Sequence, residues 1–254
     1  MNNGLVSIVI PVYNASNYII DTLNSVVNQT YTNWELFLVD DMSTDESVAI
    51  IKDYIKNNNL DNKITLLETD VKLTAAGARN KGIAAANGHY LCYLDADDFW
   101  DEYKLQKQVN FMEKKQCAFS FTAYMFANEL GKVKGKKVTV PRVLDYKHSL
   151  RNTIIWTCTV MFDLTKIDKE LIYMPHVKSE DTASWWKILK HGYKAHGLNE
   201  VLSYYRRNPG SLSSNKFEGI RRIWNLYRNV EHLGILESCF NFIGYAFHAV
   251  WKRI

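Results

Sequence analysis

Apolar residues are concentrated in short runs at the start of the chain. Val6-Ser7-Ile8-Val9-Ile10-Pro11-Val12 is an almost unbroken β-branched run ending near a proline, the pattern of a strand buried on both faces. Ile19, Leu23, Val26 and Val27 then recur at helical spacing within Tyr18 to Asn28, and Glu35-Leu36-Phe37-Leu38-Val39 returns to a strand. The same alternation predicts a helix from about Ser47 to Asn57, a strand over Lys63 to Glu68, a helix around Ala76 to Ala86 and a strand over Tyr90 to Leu94. Strands alternating with helices imply right-handed crossovers and a mostly parallel sheet, with ligands beyond the carboxyl ends of the strands. Asp40-Asp41 and Asp97-Asp98 both follow predicted strands, so topology brings the two acidic doublets to one edge.

Past Asp98 the pattern turns to mixed α+β. It predicts a helix near Asp101 to Lys114, a strand over Ala118 to Phe126, a Gly/Lys-rich turn from Gly131 to Lys137 and a strand over Thr157 to Phe162. No Pro/Gly/Ser-rich linker divides the halves. Residues beyond Asn215 are helical in pattern, with one stripe of Ile220, Ile223, Trp224 and Tyr227 and another of Leu236, Phe240, Ile243, Phe247, Val250 and Trp251. Lys216, Arg221, Arg222, Arg228, Lys252 and Arg253 outnumber Glu218, Glu231 and Glu237 there. Such a basic, aromatic tail either lies in a membrane interface or packs on the preceding domain.

Composition narrows the class. The 254 residues, 47% hydrophobic and 23% charged, suit one large globular α/β domain with an appended helical piece. A net charge of +4, spread along the chain, is not that of a nucleic-acid binder. Cys92, Cys117, Cys158 and Cys239 form no CxxC pair, which points away from zinc and disulfides and toward reduced cytosolic thiols. Met1 to Leu5 carries no signal-peptide pattern, and no run is long enough to span a bilayer. A cytoplasmic protein is expected, open to peripheral contact with the inner face of the membrane through residues 216–254.

The candidate chemistry lies in the acidic segments. Asp95, Asp97 and Asp98 repel one another unless something positive sits between them, and a hard cation such as Mn²⁺ or Mg²⁺ suits carboxylate and phosphate oxygens. The plainer alternative is a solvated turn capping the next helix. In Val39-Asp40-Asp41-Met42-Ser43-Thr44-Asp45 the polar residues can cap the following helix, or a carboxylate can accept the N3–H of uracil, a donor that cytosine lacks. Tyr13 could stack on the same ring.

Four segments together resemble the successive motifs of glycosyltransferase family 2. They are Ser7 to Asn14, Val39 to Asp45, Gly77-Ala78-Arg79-Asn80-Lys81-Gly82 and Tyr93-Leu94-Asp95-Ala96-Asp97-Asp98. The resemblance covers residues 5 to about 215 and implies a GT-A fold: a Rossmann-like, mostly parallel central sheet with helices on both faces. The catalytic domain would span 1–215, with a nucleotide-sugar-binding half (1–98) and an acceptor-binding half (99–215), followed by an amphipathic helical tail at 216–254.

By the same resemblance, Asp41 holds uracil, Pro11 and Tyr13 wall the base pocket, Arg79 steadies Asp95, and Asp95 with Ala96 contributes to the donor site. Asp97 is the main metal ligand, with Asp95 beside it. Lys178-Ser179-Glu180-Asp181-Thr182 is similar to the family's Glu-Asp motif, in which Asp181 is the general base and Glu180 its catalytic neighbour; a plain helix cap is the alternative for this segment. Trp185 or Trp186 would stack on an acceptor sugar, with a core position equally open to one of them. Tyr204 to Ser213 resembles the late loop that closes over the diphosphate through Arg207 and Ser211. Asn208 stands where some relatives have a metal-reaching histidine.

The implied activity is an inverting, metal-assisted transfer of a hexose or N-acetylhexosamine from a UDP-sugar to a hydroxyl of a growing, lipid-linked surface glycan of capsule, teichuronic acid or O-antigen type. The sugar, the acceptor and the oligomeric state are not legible. Rival readings are an inactive nucleotide-sugar-binding module of an assembly complex, a sugar-phosphate nucleotidyltransferase, which should carry a glycine-rich loop where Pro11-Val12-Tyr13-Asn14 stands, and a processive synthase, which should carry spanning helices.

Overall fold

The structure, a computed structural model, describes residues 2–207 and 216–251. Strand β1 (Asn2–Val12) is followed by α1 (Ile19–Val27), β2 (Trp34–Asp40), α2 (Ser47–Asn57), β3 (Ile64–Glu68), α3 (Thr74–Ala85) and β4 (Gly88–Tyr93). The second half runs β5 (Phe99–Trp100), α4 (Lys104–Lys115), β6 (Phe119–Ala127), β7 (Val133–Val138), β8 (Val143–Leu144), α5 (Tyr146–Arg151), β9 (Met161–Asp163), α6 (Lys169–Ile172), α7 (Glu180–Lys190) and β10 (Ala195–Arg206). Helix α8 (Lys216–Asn225), a π-helical turn (Leu226–Val230) and α9 (Ile235–Trp251) follow.

One ten-stranded sheet carries both halves in the order β3-β2-β1-β4-β9-β6-β10-β5, with β7 on β6 and β8 on β10. Pairing is parallel through β3-β2-β1-β4 and between β6 and β10, and β9 joins the two blocks antiparallel. Strand β1 shows why the apolar run was unbroken. Val6, Ile8, Ile10 and Val12 face a cluster with α1, α2 and α4, while Val9 faces the other layer with α3 and α7, so period-two alternation buries both sides. This layered α/β arrangement is the GT-A fold.

Three expected features come out differently. The segment expected as a turn from Gly131 to Lys137 contains β7, an exposed lysine-bearing strand paired antiparallel with β6. Lysines keep such an edge soluble and remove the apolar alternation by which strands are recognised. Thr157 to Thr159 is a 3₁₀ turn, and the strand begins only at Met161. Tyr204 to Arg206, read as loop, ends β10.

The tail divides its two stripes. Ile223 and Tyr227 of the first stripe are buried, with Leu226, against Leu150 and Trp186, while Ile220 and Trp224 stay exposed. The second is exposed over its described part: Leu236 is 86% exposed, Phe240 59%, Ile243 70% and Phe247 63%, with Phe240 also under the Arg151 guanidinium (4.3 Å), and the side chains of Val250 and Trp251 lie outside the described residues. Helix α9 instead turns Ser238, Asn241, Phe242 and Tyr245 inward. Among the described residues no helix is long and apolar enough to cross a membrane. All four cysteines are unpaired thiols.

Candidate active site

The loops after β1 and β2 are laced together. Asn14 N donates to Ser43 Oγ (3.0 Å), Thr44 N donates to Asn14 Oδ1 (2.8 Å), and Ser16 N donates to Asp45 Oδ2 (3.0 Å). Burial pushes the Asp45 carboxyl up, but the Ser47 and Ser16 donors outweigh it and hold the pKa at about 2. Ser43 and Thr44 are therefore loop-tying residues, while Asp45 Oδ1 also accepts from Ser47 N (3.0 Å), the first backbone donor of α2, as the sequence allowed.

Asp41 is buried at the carboxyl end of the second strand. Its carboxylate accepts N–H bonds from Leu73 (2.5 Å) and Thr74 (3.0 Å), the first backbone donors of α3, where a negative charge complements the helix dipole. Oδ2 is also paired with the Lys72 ammonium (3.3 Å), so a further donor can be accepted on the remaining lone pair of Oδ1. Lys72, which the sequence did not single out, fills the space beside it. Its ammonium donates to the Asp41 carbonyl (2.6 Å) and lies 2.8 Å from the centroid of the Tyr13 ring. Tyr13 is half exposed at the mouth, and Pro11 pairs with Val39 just inside it.

Arg79 is carried to the same edge by α3. That helix lies flush on β1 because a Cβ at Gly82 would come within 2.3 Å of Val9 Cγ1, an impossible approach. Asn80 then clamps the segment before α7, its Nδ2 donating to Met174 O (2.9 Å) and its Oδ1 accepting from Met174 N (2.7 Å). With that segment fixed, the buried Arg79 guanidinium spans two carboxylates, Asp95 Oδ1 at 2.5 Å and Glu180 Oε1 at 2.9 Å. Burial lowers the Arg79 pKa, but the charges of Asp95 and Glu180 more than reverse it and keep the group protonated.

Helix α7 starts at Ser179, whose φ of 60° is unusual for a residue with a side chain and whose hydroxyl makes no cap bond. Asp181 accepts from Thr182 N (2.6 Å). Burial, then the neighbouring Glu180 charge, pushes the Asp181 pKa up to about 6. Glu180 is held by Arg79, while the Asp181 pKa is raised toward the range in which a carboxylate can exchange a proton near neutrality.

The acidic run separates by partner. Asp95 faces Arg79, and the Ala96 carbonyl accepts from Thr22 Oγ1 (2.9 Å). Asp98 is fully buried, accepts from Arg206 N (2.8 Å), and has its pKa raised well above the usual range by burial and by the charges of Asp97 and Asp95. It caps no helix, because β5 intervenes before α4. Asp97 is half-buried, and its carbonyl accepts from Arg206 Nε (2.7 Å).

Arg206, missed from the sequence, braces this turn. It also donates to Glu129 O (2.7 Å) and pairs with Asp21 (3.0 Å). Arg207 is exposed, its guanidinium 3.5 Å from the Phe126 centroid. Ser211 and Asn208 lie outside the described residues.

The expected acceptor stacking by tryptophan fails on burial. Trp185 is 2% exposed and packs with Tyr93, Phe119 and Phe162; Trp186 is 1% exposed and stacks on Tyr227 at 5.3 Å. Neighbouring helical residues point about 100° apart, so the pair anchors α7 to two different clusters and offers no face to a ligand.

No group of three or more His, Cys, Asp or Glu able to hold a metal occurs among the described residues. With Asp98 turned inward and Asp95 on Arg79, the run offers one or two carboxylates. That donor set suits a hard cation that keeps waters and takes substrate phosphate oxygens as its remaining ligands.

Comparisons with known proteins agree with this layout. The profile described as Glycosyl transferase family 2 matches residues 7–163. Over 251 residues the chain is 40% identical to a Bacillus subtilis (strain 168) protein named as a teichuronic acid biosynthesis glycosyltransferase, TuaG, covering 98% of each. It is 35% identical over 226 residues to the Escherichia coli UDP-Glc:alpha-D-GlcNAc-diphosphoundecaprenol beta-1,3-glucosyltransferase WfaP, covering 89% of this chain and 86% of the other. Among solved structures, the mannosyltransferase PcManGT of Pyrobaculum calidifontis, in complex with GDP-Man and Mn²⁺, superposes with a TM-score of 0.72 at 18% identity, covering 97% of this chain and 70% of that one.

Proposed function

The chain belongs to glycosyltransferase family 2 and is a glycosyltransferase, and we propose that it moves a hexose or N-acetylhexosamine from a UDP-sugar to a hydroxyl of a lipid-linked surface glycan, with inversion. The observation that carries this reading is the Arg79 bridge, which ties Asp95 of the acidic turn to Glu180 beside Asp181. A base on the acceptor side and carboxylates on the donor side thereby share one rigid frame.

Asp181 takes the proton of the acceptor hydroxyl as its oxygen attacks the anomeric carbon. The bond from that carbon to the UDP oxygen breaks on the opposite face and its electron pair leaves with UDP, so the centre inverts. Asp41 accepts the uracil N3–H, Tyr13 covers the ring once Lys72 gives way, and Arg207 faces the diphosphate. Asp97, with Asp95 beside it, would hold a divalent cation, which when bound supplies positive charge to the departing diphosphate.

The test is UDP affinity with and without Mn²⁺. Asp97→Ala is expected to weaken UDP binding in Mn²⁺ by at least about tenfold, the scale of one lost charge-assisted contact. A wild-type affinity indifferent to Mn²⁺ would refute the metal assignment.

The WfaP name, with its diphosphoundecaprenol acceptor, supports a peripheral membrane location. The exposed stripe Leu236, Phe240, Ile243 and Phe247 supplies the contact. Replacing Leu236, Phe240 and Ile243 by serine should reduce co-sedimentation with anionic vesicles at least about tenfold, given the apolar area removed. Unchanged co-sedimentation would defeat the anchoring role.

A further inference from the structure

A cavity of about 1200 Å³ opens where the carboxyl ends of β6 and β10 meet the β7 edge and α9. Its rim carries Lys134, Lys136 and Lys137 from β7, Arg207 from the end of β10 and His248 from α9. No Asp or Glu lines it among the described residues, although acidic residues are nearly as numerous as basic ones in the chain as a whole. Lys137 Nζ donates to the Asn199 carbonyl, which fixes one cation at the rim. Arg207 is held over the Phe126 ring, 3.5 Å from its centroid. Val138 and Ile154 give the floor an apolar part.

Two placements bear on what it takes. Arg207 directly follows Arg206, the residue that braces the Asp97 turn, so the cavity shares the end of β10 with the catalytic edge. His248 follows Phe247 on α9, so the cavity lies at the end of the exposed apolar stripe. A ligand reaching it from that stripe has an apolar body along α9 and an anionic head among the lysines. The volume exceeds what a diphosphate alone requires and leaves room for the sugar it bears.

We propose that this cavity holds the diphosphate linker of an isoprenoid-linked acceptor, with Lys134, Lys136 and Lys137 as its cationic contacts and Arg207 closing it toward the catalytic edge. The assignment rests on the lipid-linked acceptor proposed for this enzyme. Cations on an exposed strand suit a phosphate ester that arrives from a surface, since they attract it without a buried charge to desolvate.

Farnesyl diphosphate is the probe, titrated calorimetrically with UDP and Mn²⁺ saturating so that the donor site is filled. Wild-type protein should bind it, and Lys134→Gln/Lys136→Gln/Lys137→Gln should bind it at least about tenfold more weakly, with UDP affinity unchanged as the check on folding. Farnesol should bind the two proteins equally. Absence of wild-type binding, equal binding by the variant, displacement of the probe by UDP, or equally tight binding of inorganic pyrophosphate would each overturn the proposal. No arm requires transfer, so failure to glycosylate a lipid-linked acceptor would bear on the proposed function alone.

Discussion

Asp181→Asn is expected to bind UDP-sugar as the wild type does and to lose transfer by a factor of roughly a hundred to ten thousand, the usual contribution of a positioned general base. Asparagine keeps the bond accepted from Thr182 N, so α7 should start unchanged. Because the Asp181 pKa is raised to about 6, wild-type transfer should climb as pH rises through about 6 and level off above it.

The same shift has a stability consequence. The folded-state value lies above the ordinary 3.8, so the folded protein holds the proton more tightly than the unfolded chain, and charging Asp181 costs stability as pH rises from about 4 to about 6. Asparagine avoids that cost. At neutral pH the variant should be more stable by on the order of 2 kcal/mol, with the difference vanishing near pH 4. Urea titrations at both pH values, beside a transfer assay, check the pair of effects. Substantial residual transfer would remove Asp181 from the role, and a variant less stable at neutral pH would remove the buried charge as the reason for its raised pKa.

The sequence was most legible where chemistry sits at strand ends. Asp41 and Asp97 follow runs whose apolar pattern is unambiguous, and right-handed crossovers leave their convergence little freedom. Arg79 was found through its motif, although what the motif does was not: Gly82 provides the close approach to Val9 and Asn80 clamps Met174. Strand β10 escaped because its register breaks between Leu198 and Val201 and again between Val201 and Ser203, which destroys the alternation by which strands are read. With Tyr204 to Ser213 read as loop, the Arg206-Arg207 doublet gave no sign of which member points inward, and the buried one braces the acidic turn. Lys72 carried no signal at all, because its position between Asp41 and Tyr13 is set by contacts across the fold.

Arg79→Met should be the most destabilising single change at the site. Methionine fills part of the volume, so packing alone predicts a small loss. The guanidinium, however, is the charge between Asp95 and Glu180, and its side chain is 6% exposed. Removing one partner from a buried ion network leaves the others uncompensated, at a cost of about 3–5 kcal/mol. Here the remaining carboxylates, with Asp181 beside them, also repel one another. That repulsion exists only while they are ionised, whereas Arg79 itself stays protonated at every working pH. The loss should therefore be full at pH 7.5 and shrink as the pH is taken below about 6, where Asp181, whose pKa is raised to about 6, takes up its proton. A second change, Glu180→Gln in the Arg79→Met background, removes one of the repelling charges and should restore part of the stability at pH 7.5. Unfolding midpoints of the single and double variants at both pH values read this directly. If the single variant loses the same stability at pH 7.5 and below pH 5, and the double variant regains none, Arg79 acts by packing, and the electrostatic frame joining the acidic turn to Asp181 does not exist.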